Sequence, residues 1–149
     1  MQNMAQARRN TICTEVGLLA GPVPFPSTPQ GIPQAVNIIQ SLESSNRPGI
    51  EGPMTKWGTA KGSMQLLDGT AQGVAKQLGM PWRPDLMTQK TPEAAAYQKT
   101  LGAAYFQQGL EATGNYYDAA RHYHGGPNRA QWGDKTNAYA SEFMKRFGG

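Results

Sequence analysis

Glu43 closes an apolar stretch, VNIIQSLESSN at residues 36–46, and is the side chain best suited to acid–base chemistry in this sequence. In a helix, Val36 and Ile39 precede it by seven and four positions and share its face, so a carboxylate is turned toward the apolar side. Ser44, Ser45, Asn46 and then Pro48-Gly49 end the helix and leave Glu43 in its last turn. There the negative end of the helix dipole and the apolar neighbours both favour the protonated acid, which suits proton donation near neutral pH. From this run alone the plainer reading is the stronger one, a helix-terminal Glu that reaches solvent, because charged residues are mostly exposed. The rival acids have poorer settings: Glu51 falls in a Gly-Pro loop and Asp68 reads as a helix cap. His122 and His124 are two apart, a poor helical spacing for a metal, and no third ligand suggests itself. No metal and no cofactor are expected.

The composition narrows the partners. With 149 residues the chain fits one domain with a single core. Hydrophobic residues make up 38% and charged residues 16%, so it reads as globular rather than disordered, and 18 Gly and 11 Pro predict many loops. A net charge of +4 favours anionic partners such as nucleic acid, anionic lipid or an acidic polymer like the bacterial cell wall. Lys and Arg are scattered, with Arg8-Arg9 and Lys145-Arg146 the only adjacent pairs, so the basic stripe of a nucleic-acid binder is missing. The single cysteine, Cys13, excludes an intrachain disulfide. The residues after Arg8-Arg9 resemble a signal peptide only superficially, since Glu15 interrupts a short apolar region. No run is long and apolar enough to span a membrane.

The elements that must position Glu43 are mainly helical. Residues 1–33 read as an arm and a lead-in, and the five prolines of GPVPFPSTPQGIP predict an extended path to the Glu43 helix. The domain proper is expected at 34–149. Residues 49–62 read as a Gly-rich loop lining a cleft, with Trp57 as one wall, and no convincing pair of strands is expected. Asp68 or Thr70 is expected to cap a helix that stops at Gly79, and residues 80–89 to form a loop. Thr91-Pro92-Glu93 is a helix start, and Ala94, Tyr97, Leu101, Ala104, Tyr105 and Leu110 mark its core face. Asn115 is placed in a turn. Two more helices are predicted over 117–123 and 136–147, the last with Tyr139, Phe143 and Phe147 on one face.

In this order the pieces resemble the soluble lytic transglycosylase family, whose lysozyme-like helical domain cleaves peptidoglycan. The likeness runs over residues 36–147. It rests on Glu43-Ser44 at the end of an apolar helix, on Gly62-Ser63-Met64-Gln65 followed by Thr70-Ala71, and on Leu101-Gly102-Ala103-Ala104-Tyr105. It continues in the turn from Ala119-Ala120 through Tyr123 to Gly126 and ends in a Thr-x-x-Tyr made by Thr136 and Tyr139. Each motif is weak alone; their order and spacing carry the resemblance. His124 and Gly125 stand where the family usually has asparagine and alanine, and Lys135 where an acid commonly precedes the threonine, with Asp134 one position earlier.

The resemblance implies a mainly α, lysozyme-like fold and a lytic transglycosylase that needs no metal. It implies that Glu43 is the single acid and base and acts on the bond between N-acetylmuramic acid and N-acetylglucosamine, leaving 1,6-anhydro ends. Ser44, Gly62, Met64, Gln65, Tyr105, Tyr123 and His124 are implied as substrate contacts; Ser44 would position substrate or Glu43, and Tyr123 would hold Glu43 or the N-acetyl group. Plainer roles stand beside these, Met64 as core and Tyr123 as a buried ring with its hydroxyl paired. The loop between the first two motifs looks like versions in phage virion proteins. Peptidoglycan strands and other virion proteins are therefore the expected partners, and the phage particle and the bacterial periplasm the expected locations. The alternatives are a goose-type lysozyme that hydrolyses the same bond and a wall-binding or virion structural protein with a degenerate site.

Overall fold

The computed structural model describes residues 31–148. Cys13, the Arg8-Arg9 segment and most of the Pro-rich lead-in lie outside the described residues. The described chain is mainly helical: α1 (Gly31–Ser44), a hairpin of β1 (Glu51–Thr55) and β2 (Gly58–Lys61), then α2 (Asp68–Gln77), α3 (Pro92–Thr113), α4 (Tyr116–Gly125) and α5 (Asp134–Gly148). Short 3-10 turns lie at Pro84–Met87 and Arg129–Gln131.

α1 begins earlier than expected. Gly31, Ile32 and Pro33 belong to its first turn rather than to the lead-in, where proline's missing N–H has no intrahelical partner to lose. Ala35, Val36 and Ile39 turn into the core, as the periodicity predicts. The helix ends abruptly because Ser45 and Asn46 both take left-handed backbone, with φ of 56° and 65°. Two such non-glycine residues in succession are strained and must be held. The Ser44 hydroxyl donates to the Gln40 carbonyl at 3.2 Å and accepts from the Arg47 N–H at 3.1 Å, while the Gln40 side-chain amide donates to Asn46 Oδ1 at 3.2 Å.

The region expected to be a loop is a two-stranded antiparallel hairpin pairing Glu51 with Lys61, Met54 with Thr59 and Thr55 with Gly58. An irregularity between Glu51 and Met54 takes up Gly52 and Pro53. Gly and Pro conceal the strand pattern, and the pairing survives because the second strand continues into a bridge between Lys61 and Leu66. α2 also corrects an expectation, since its N-cap is Leu67 with no side-chain cap. Asp68 instead meets Lys61 Nζ at 2.9 Å, tying the hairpin to the helix. The stretch expected as a loop at 80–89 contains the 3-10 turn that buries Leu86 and Met87. Asn115 caps α4 by accepting from the Asp118 N–H.

The long helix α3 is the centre of the packing. Thr91 caps it, accepting from the Ala94 N–H, and Leu101, Phe106 and Leu110 are buried along it. Ala104 and Tyr105, expected in its core face, are only partly buried. Phe106 meets Phe143 of α5 with ring centroids 5.8 Å apart. Gly102 allows a close approach, since a Cβ there would lie 2.4 Å from Met64 Cβ. Beside it, Gln98 is completely buried, and its carboxamide makes four bonds. Oε1 accepts from the N–H groups of Gly49 and Ser63, and Nε2 donates to the carbonyls of Leu86 and Gln89. One side chain thereby joins the end of the α1 turn, the foot of the hairpin and the 3-10 segment.

Candidate active site

Glu43 lies in the last turn of α1 and borders a cleft of about 610 Å³. The hairpin, the segment after it, single residues of α2 and α3, the end of α4 and the α4–α5 connection form the rest of the lining. Glu43 is the only carboxylate among the described residues that line this cleft. Tyr139 of α5 donates its hydroxyl to Glu43 Oε2 at 2.7 Å. Burial raises the Glu43 pKa from 4.5 to about 7, and the Tyr139 bond, which favours the charged form, restrains the rise. The Tyr139 hydroxyl is in turn pushed well above its usual pKa, first by burial and then by the neighbouring Glu43 charge. A carboxyl in the cleft lining therefore still carries a proton near neutrality, which is what general-acid chemistry requires.

The expected site residues divide into two groups. Gln65, Tyr105, Tyr123 and His124 line the cleft together with Glu43. Gln65 has a left-handed backbone, φ 52°, and its amide donates to the carbonyls of Ile50 and Gly62. Tyr123 is fully paired in the core, donating to the Met64 carbonyl at 2.5 Å, with Tyr105 packed against its ring at 5.4 Å. His124 stands at the rim, its Nδ1 2.9 Å from Thr136 Oγ1 and its ring 4.6 Å from that of Tyr139. Burial lowers its pKa below the usual 6.5.

Ser44, Gly62 and Met64 lie behind this surface. The Ser44 side chain is committed to the helix end, and Met64 is core, 1% exposed against Gly102. Gly62, at φ 83°, sits where a Cβ would be 2.9 Å from the Gln98 side chain. Trp57 does form part of the cleft wall. Among the described residues no cluster of three or more His, Cys, Asp or Glu side chains is placed to hold a metal.

Tyr139 is the partner that periodicity missed, because an aromatic ring on an apolar helix face reads as core. Its hydroxyl was signalled only by the Thr136-x-x-Tyr139 spacing. The glycine at 125 also gains a reason: a Cβ there would stand 2.6 Å from Trp132 Cδ1. The Trp132 indole donates to the Gly126 carbonyl at 2.8 Å and lies under the Arg121 and Arg129 guanidinium groups. This knot holds the 126–133 connection against α4, with Gly126 at φ 86°.

Fold and site together define a helical domain with a hairpin and a cleft built around one protonatable carboxyl group. The sequence is similar to a transglycosylase of Enterobacteria phage PRD1, 35% identical over 109 residues that make up 72% of this chain and 34% of that protein. The chain thus spans about a third of the length of the relative it matches. No family model matches the chain, and no solved structure does. Among the described residues no helix is long and apolar enough to cross a membrane.

Proposed function

We propose that this chain is a phage-borne peptidoglycan lytic transglycosylase of lysozyme-like fold that uses Glu43 as its single acid and base. The observation that supports it most is Glu43 itself: a carboxyl with a pKa of about 7, bonded to Tyr139, in a cleft with no second carboxylate among its described lining residues. Most glycosidases divide the work between two carboxylates, and one acid alone fits a substrate-assisted reaction. Glu43 donates its proton to the glycosidic oxygen as the bond from C1 of N-acetylmuramic acid breaks, and the substrate's N-acetyl group stabilises the cation. The carboxylate then takes the proton from the 6-hydroxyl, whose oxygen closes on C1. One C–O bond breaks, one forms, the proton on Glu43 is restored and no water is consumed.

The phage transglycosylase similarity supports a glycan substrate and a phage setting; other virion proteins are the partners this reading adds. Gln65, Tyr105 and His124 border the cleft as substrate contacts, and the net charge of +4 suits an acidic wall polymer. The test is digestion of purified sacculi followed by mass analysis. Wild-type protein is expected to release anhydro-muropeptides and Glu43→Gln none. Reducing-end products heavier by one water would make it a lysozyme, and equal inactivity of both proteins with retained binding would make it a wall-binding protein.

A further inference from the structure

We propose that Trp57, at the tip of the hairpin, is a sugar-stacking platform forming a second subsite of the cleft; this rests on the glycan substrate proposed above. Trp57 is 65% exposed, so much of its ring is open to a ligand. Exposure alone does not single it out, because Met54 on the same hairpin is 79% exposed. The difference is that Trp57 lines the cleft shared with Glu43, and Met54 does not.

The turn that carries the ring is braced from its backbone. Thr55 Oγ1 donates to the Gly58 carbonyl at 2.8 Å and accepts from the Trp57 N–H at 3.1 Å. Gly58 takes φ 107°, which closes the turn. Lys56 Nζ lies 4.9 Å from the indole centroid. Below the tip, the Lys61–Leu66 bridge and the Lys61–Asp68 pair root the hairpin. A braced turn spares the cost of ordering the backbone on binding, and the C–H face of a pyranose is a flat apolar surface of matching size. Asn128 and Gln131 also line the cleft. Asn128 Oδ1 is taken by the Ala130 N–H, so its NH2 group is the part left to meet a hydroxyl or acetamido oxygen.

Calorimetric titration with a β-1,4-linked N-acetylglucosamine hexamer tests this in a Glu43→Gln background, where no turnover occurs. Adding Trp57→Ala is expected to weaken binding about tenfold, as for a central aromatic contact, with Trp57→Phe in between and Met54→Ala without effect. In the active protein, Trp57→Ala is expected to raise KM for glycan strands and leave kcat unchanged. The bracing bonds use no atom of the indole, so thermal melts of these variants should match their parents. Binding unchanged by Trp57→Ala, or weakened equally by Met54→Ala, overturns the subsite and leaves the function proposed above standing. Failure of the Glu43→Gln parent to bind either the hexamer or purified glycan strands overturns both.

Discussion

Tyr139 and burial pull the Glu43 carboxyl in opposite directions, and the balance sets the pH at which it carries a proton. Removing the hydroxyl with Tyr139→Phe takes away a bond to the charged form, so the pKa rises further. The alkaline limb of the pH–rate profile is expected to move up by about one unit. Clearing of purified sacculi followed from pH 5 to 9 measures it, and an unmoved limb would mean that another group controls the rate. The same burial costs stability once the carboxyl ionises. At pH 8 the charge is present in both folded and unfolded chains, but only the folded chain hides it from water. Glu43→Gln is therefore expected to stabilise the fold at pH 8 by about 1 kcal/mol, a value reduced for the part of the carboxyl that water still reaches. Urea melts would show it. That Glu43 lies on an apolar face at a helix end was legible in the sequence, because both are local properties; its partner was not, because their bond spans 96 residues.

Among the elements, the helices were the legible part. Thr91-Pro92 announces α3 through a cap that uses only neighbouring atoms, whereas the hairpin hid behind Gly52, Pro53 and Gly58, whose types argue for loop. Gln98 gave no signal at all, since an amide on a helix reads as solvent-facing. Its four bonds tie three segments to α3, so Gln98→Ala strands two buried N–H groups and opens a cavity. We expect a loss of about 3 kcal/mol by chemical denaturation, and greater hydrogen exchange at Gly49 and Ser63 than elsewhere. A loss below about 1 kcal/mol would mean that water replaces the carboxamide readily.

Over the whole molecule, the titrating groups oppose one another. Glu43, raised from 4.5 to about 7, binds more proton when folded, so its contribution falls as pH rises through that window. His122 and His124 are held below their usual 6.5, chiefly by burial, so their contribution is complete above 6.5 and is lost as pH falls. His122 is the sharper case, with Nδ1 buried and unpartnered near Gly109. Losing the Glu43 slope should therefore make the melting temperature of Glu43→Gln rise more with pH between 5 and 6.5 than that of the wild type. Calorimetric melts across that range test the opposition, and parallel curves would remove it. The fold also has an order in time. Glu43 is made early in the described chain and Tyr139 belongs to its last described helix, so their bond forms only once α5 packs on α1. The carboxyl's finished environment is thus a property of the packed domain, absent from any chain cut before α5.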